Sequence, residues 1–135
     1  MQMPSITAAY LAVLALLYTV LAAQVGRLRR GNRIAFGDNG NPELRSAIRA
    51  HANFIEYVPI IALMVAMLEM SGLPAMGVHL LMLALLLSRL LHPLGMYAAP
   101  NTLQFRIGRI GGIAITLLLL PACAVMILWR TLMVI

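Results

Sequence analysis

The sequence predicts an all-α integral membrane protein built as a bundle of four transmembrane helices, and two observations carry that prediction. Hydrophobic residues make up 62% of the 135 and charged residues only 10%, with a mean hydropathy of +0.93, far from the composition of a soluble domain. The few charges also leave four long stretches that are uncharged or nearly so. Each approaches the roughly 20 residues that a helix needs to cross the hydrocarbon.

The first stretch, Met1 to Gly26, carries no charge, which places a helix at about residues 5–29. A cleaved signal peptide is the alternative, but Met1 to Ser5 lacks a positive n-region and the apolar run is too long for one. A loop rich in turn residues follows, with Gly31, Asn32, Gly37, Asp38, Asn39, Gly40, Asn41 and Pro42. The second helix is expected at about 43–70, where Glu56 is the sole charge between Arg49 and Glu69. Pro59 falls inside it, tolerable at membrane depth and expected to kink the helix beyond the polar cluster. Met70 to Ser88 is the third uncharged stretch, giving a helix at about 74–97. After a turn at Ala98, Ala99, Pro100 and Asn101, a fourth spans about 103–132, with Ile110 to Trp129 uncharged. No linker, low-complexity tract or convincing internal repeat divides the chain, so 1–135 reads as a single membrane domain.

All ten basic residues are arginine. Arg27, Arg29, Arg30, Arg33, Arg45 and Arg49 flank the first loop, Arg106 and Arg109 follow the third helix, and the second loop, Glu69 to Ala75, has none. Basic residues bias loops toward the cytoplasm, so loops one and three are expected there with both termini outside, against which only Arg130 stands. The net charge of +6 does not read as nucleic-acid binding, because the arginines flank apolar spans without interleaved aromatics. Lipid headgroups or a small anionic ligand are the expected partners, and headgroup anchoring is the expectation for Arg27, Arg33 and Arg130. Cys123 stands alone, which permits no internal disulfide and offers no metal cluster; it reads as a core residue.

The polar residues of the spans fall in stripes. Arg45, Arg49, Asn53 and Glu56, at spacings of four, four and three, share one face of the second helix. An ionisable group inside a span is costly, so Glu56 is expected to face the bundle interior and meet an arginine such as Arg49 or Arg89, a water-filled cavity or a bound cation. Arg89, His92 and Met96 form a second stripe, with Tyr97 beside it, and Arg106 and Arg109 open the fourth helix. Three helices thus collect polar groups at one side of the membrane, an arrangement expected to form an anion-binding pocket between helices. Gly108 and Gly112 make a small-xxx-small pair that favours close helix packing. His51 lies away from the Arg49 face and reads equally as a structural hydrogen-bonder or a ligand contact.

The run Arg49-Ala50-His51-Ala52-Asn53-Phe54-Ile55-Glu56-Tyr57-Val58-Pro59 resembles the signature of the MAPEG family, membrane-associated proteins in eicosanoid and glutathione metabolism. The likeness extends over the whole chain, and the loop Ala35-Phe36-Gly37-Asp38 with its preceding arginines looks most like the small bacterial members. The resemblance implies a homotrimer of four-helix subunits in a bacterial inner membrane, with glutathione held as co-substrate between subunits near the cytoplasmic face. It further implies transferase or peroxidase chemistry on a lipophilic electrophile, with no metal. By this likeness Arg49, Asn53, Glu56 and Tyr57 bind glutathione, as does Arg29 or Arg30 of a neighbouring subunit. His51, His92 and Tyr97 are weaker ligand candidates. Arg106 takes the place of the thiol-activating arginine, with Arg109 the alternative. The chemistry agrees, since two carboxylates suit arginine forks and one ammonium suits Glu56. A small membrane transporter and a noncatalytic scaffold are the rival readings. A multidrug carrier of this size is expected to bear its acidic residue in the first span, where this chain has none.

Overall fold

The computed structural model describes residues 3–133. Four helices, α1 (Ser5–Asn32), α2 (Pro42–Met70), α3 (Ala75–Met96) and α4 (Leu103–Leu132), are each long and apolar enough to cross a membrane. Among the described residues there is no strand. Short connections make successive helices antiparallel, so the loops 33–41 and 97–102 lie at one end of the bundle. The loop 71–74, the start of α1 and the end of α4 lie at the other.

Local chemistry sets the boundaries where they differ from the expected ones. α1 runs on to Asn32 because Arg33 takes up a left-handed conformation (φ 55°) and returns its N–H to the carbonyls of the last turn. α2 begins at Pro42, since the Asn41 side chain accepts from the Leu44 N–H at 3.0 Å and proline suits the first helical position. It continues through Pro59 to Met70. Thr102 caps the start of α4, which then departs from regular geometry in a π-helical segment, Arg106–Gly111, before resuming as Gly112–Leu132.

A seam of Leu14, Phe54, Ile61, Val65, Met82, Leu85 and Cys123 runs through the bundle. Lipid tails are as apolar as leucine, so burial of such a seam supplies little drive for helix association; close packing and polar pins must supply it. Both are present. At the end where α1 begins and α4 finishes, the Glu69 carboxylate of α2 accepts from Ile6 N–H (2.9 Å), Thr7 N–H (2.9 Å) and Thr7 Oγ1 (2.7 Å). It thereby caps α1, whose first turn has no acidic residue of its own, and meets the positive end of its dipole. Arg130 of α4 donates to the Ser71 carbonyl (2.6 Å) and hydroxyl (3.2 Å). The arginine expected to seek headgroups is thus tied to loop 71–74. Tyr10 and His79 pair across α1 and α3 at 3.3 Å.

At the arginine-rich end, close packing does the work. A Cβ on Gly95 would lie 2.0 Å from the Arg109 nitrogen, and one on Gly108 would lie 2.5 Å from the Gly95 nitrogen. At Gly112 it would meet the Ser88 carbonyl at 2.9 Å. The backbones of α3 and α4 touch here, through the expected pair Gly108 and Gly112 and also through Gly95.

Candidate functional site

Arg89 sits at the centre of this end, 1% exposed. Its Nη1 donates to the Asn53 carbonyl (3.0 Å) and to Asn53 Oδ1 (2.5 Å), its Nε to Ser88 Oγ (3.1 Å), and its Nη2 to Thr116 Oγ1 and the Gly112 carbonyl (3.5 Å). One guanidinium therefore joins α2, α3 and α4. Its partners are all neutral oxygens, which fits a buried cation that keeps its hydrogen bonds without a counter-ion. The Tyr57 ring lies 5.9 Å from the Arg89 guanidinium carbon.

The α2 stripe divides around this hub. Asn53 turns inward and is buried, whereas Arg49 and Glu56 on the same face are exposed on the protomer. Glu56 lies midway along α2, about 20 Å from either end at the usual helical rise. The expectation that it faces the interior and pairs with Arg49 or Arg89 is overturned, because Asn53 and Thr116 already occupy the interior arginine. Among the described residues the single ion pair joins Arg45 to Asp38, outside the bundle. The hydrogen bond from Arg45, followed by that from Gly40 N–H, holds the Asp38 carboxyl below its ordinary range.

Arg106 and Arg109 are exposed on the π-helical segment, with the Arg109 guanidinium carbon 5.4 Å from the Phe105 ring centroid. A π segment lets one more residue into the turn than a regular helix, which re-aims the side chains it carries; such segments recur at functional sites. Here it coincides with the glycine seam, so both arginines are displayed from a backbone pressed against α3.

The remaining candidates lie in different surroundings. His51 stacks on Tyr18 of α1, ring centroids 4.9 Å apart, and so works in helix packing. His92 is 3% exposed, turned into the α3–α4 seam, and its Nδ1 has no hydrogen-bond partner. Tyr97, just past the end of α3, accepts from Gln24 Nε2 at 2.6 Å. Burial, reinforced by the charge of Glu43, raises its phenol above the ordinary value. Arg29 donates to the carbonyls of Ala35 (3.1 Å) and Gly37 (3.0 Å), while Arg30 stays exposed. The anion-binding pocket expected between helices is not enclosed by any of the described cavities of the single protomer. Those near the arginines are open grooves, one of about 360 Å³ along Arg29, Arg30 and Arg33 and one of about 320 Å³ along Asp38, Arg45 and Arg49. Sequence reasoning missed Ser88, Thr116 and Gly95. The signal available for Thr116 was a hydroxyl inside the otherwise apolar run from Ile110 to Trp129.

A four-helix membrane protein whose arginines gather mainly at one end, several of them on faces its own helices leave uncovered, is the class that this fold and site define. The chain belongs to the MAPEG family, whose sequence description matches residues 7–129. It is also similar to the inner membrane protein YecN of Escherichia coli strain K12, 40% identical over 92 residues, which cover 68% of this chain and 70% of that protein. The protein of the same name from Escherichia coli O6:H1 strain CFT073 gives the same figures. No solved structure matches significantly.

Proposed function

We propose that this protein is a glutathione-dependent transferase or peroxidase of the bacterial inner membrane, working as a homotrimer with its sites between subunits near the cytoplasmic face. The observation that carries the reading is the exposure of Arg49 and Glu56 on α2 and of Arg106 and Arg109 on α4. Ionisable groups within spans do not face lipid without cost, so a neighbouring subunit and a charged ligand are the natural partners of these faces. The name of the similar Escherichia coli protein supports the inner membrane, and the arginine distribution supports a cytoplasmic site.

In this reading Arg49, with Arg29 or Arg30 of a neighbouring subunit, takes the glutathione carboxylates, and Glu56 takes the ammonium. Asn53 and Tyr57 complete the contacts, with Tyr97 at their margin; His51, stacked on Tyr18, and His92, buried in the α3–α4 seam, lie behind them. The Arg89 hydrogen bond to Oδ1 leaves the Asn53 amide N–H free to donate. Arg106, with Arg109 as alternative, stabilises the thiolate. A thiol of pKa near about 8.5 is only about 3% ionised at pH 7, and a guanidinium that lowers the pKa by about 2 units raises this to about three quarters, a shift of about 2.7 kcal/mol. The thiolate then bonds to an electrophilic carbon and the leaving group departs with the bonding pair. With a hydroperoxide, sulfur takes the distal oxygen, the alkoxide leaves and is protonated, and a second glutathione thiol displaces water to give the disulfide.

The test is ultraviolet difference absorbance at the thiolate band of purified protein titrated with glutathione at neutral pH, with S-methyl glutathione as the control that cannot ionise. A saturable signal, lost in Arg106→Leu, supports the reading. Loss in Arg109→Leu alone transfers the role to Arg109. Binding without the signal would identify a scaffold or carrier.

A further inference from the structure

In loop 33–41, a single guanidinium grips the backbone on both sides of Phe36. Arg29 Nη1 donates to the carbonyl before it (Ala35) and to the carbonyl after it (Gly37). Beyond Gly37, Asp38 is paired with Arg45 and accepts from Gly40 N–H, and Asn41 N–H bonds the Asp38 carbonyl at 2.8 Å. The loop is therefore fixed at both shoulders. Yet this fixed loop displays Phe36 at 91% exposure, a position in which a soluble loop gains nothing from an aromatic ring.

Two spans end where this loop lies, so Phe36 sits at the level of the bilayer surface. Beside it runs the groove of about 360 Å³ lined by Arg29, Arg30, Arg33, Ile34 and Ala35. Arg29 is committed to the loop, which leaves the exposed Arg33 and Arg30 as the cations of that groove. Aromatic rings gather at membrane interfaces, and arginine clusters next to spans attract anionic headgroups. We infer that this loop is a rigid interfacial anchor. Phe36 enters the acyl boundary, and the groove at Arg33 takes the headgroup phosphate of an anionic phospholipid. The inference rests on Phe36 and Arg33, neither of which takes part in the thiol chemistry proposed above.

The test uses the full chain carrying Trp129→Phe, which removes the native indole, together with Phe36→Trp, reconstituted in phosphatidylcholine vesicles with or without phosphatidylglycerol. Emission is read with brominated lipids of either headgroup and with aqueous iodide. The expected result is quenching by bromolipid, stronger for brominated phosphatidylglycerol by about fivefold, the enrichment one surface arginine confers. Adding Arg33→Asn, which removes the charge while tolerating the left-handed backbone, brings the two headgroups level. Quenching by iodide alone would place the loop in water and overturn the inference. Protection from both quenchers would place Phe36 against another protein copy and also overturn it. Equal quenching by both headgroups, unchanged in Arg33→Asn, would refute the anionic site. Native mass spectrometry of the unaltered protein gives a second reading: phosphatidylglycerol retained over phosphatidylcholine supports the site, and no preference refutes it.

Discussion

The two ends of the bundle treat their charges in opposite ways. At the end where α1 begins and α4 finishes, both charged side chains of the described residues are used within the protomer, Glu69 on the first turn of α1 and Arg130 on Ser71. At the other end the interior cation Arg89 is satisfied by oxygens of three helices, whereas Arg49, Arg106 and Arg109, together with Glu56 midway along α2, are exposed. One end uses its charges on its own backbone, and the other leaves most of its arginines exposed on the protomer. The difference separates polar residues spent on holding the fold from polar residues left free on the protomer, the set proposed above to meet glutathione.

The sharpest way to break that distinction is at Arg89. Arg89→Gln removes the charge-assisted hydrogen bonds to Asn53 and Thr116 that tie α2 and α4 to α3, each worth about 1.5–3 kcal/mol, so we expect a loss of about 3 kcal/mol in thermal unfolding of the detergent-solubilised protein. Gly95→Ala comes next. Its methyl meets backbone rather than a movable side chain, and about 3 kcal/mol of overpacking is expected, together with loss of the thiolate signal as Arg106 and Arg109 shift. At the end where α1 begins, Glu69→Gln keeps the shape of the cap but removes its charge, at a cost of about 1 kcal/mol and with glutathione binding unchanged.

The smallest effects on stability are expected where the functional ones are largest. Glu56→Gln should leave unfolding within about 0.5 kcal/mol while weakening glutathione binding at least about tenfold, as loss of a charged hydrogen bond implies; equal binding would remove Glu56 from the site. The Asp38–Arg45 pair supplies a pH test. The Asp38 carboxyl is held below its ordinary value, so its contribution to loop order is present above about pH 3.9 and lost as pH falls through the lowered value. Amide exchange at Gly40 should therefore accelerate in acid, relative to the exchange chemistry itself, and show no such change near neutrality.

Much of this was legible beforehand. Four runs with at most one charge each announce four helices, because a span tolerates few charges, and the spacing from Arg49 to Pro59 points to the family. The spacing of Gly108 and Gly112 foretold the α3–α4 contact, but Gly95 on the facing helix has no periodic partner in sequence to reveal it. The stripe Arg45, Arg49, Asn53 and Glu56 was correctly placed on one face, yet its direction was read wrongly for Glu56. A helical face spans a wide arc, and a stripe at the edge of the buried arc can turn one member inward and the next outward.

Composition and charge spacing set the membrane class, the number and rough extent of the helices, and the end at which the arginines gather. These depend on composition and on spacing along one chain. Which cation is buried, which oxygens satisfy it, and which acids and arginines are left facing outward were decided only by tertiary structure. Arg89 meets Asn53 at a separation of 36 residues and Thr116 at 27, and contacts between helices depend on relative rotation and depth. The π-helical segment at Arg106–Gly111 changes that rotation at the very residues proposed to act on the thiol.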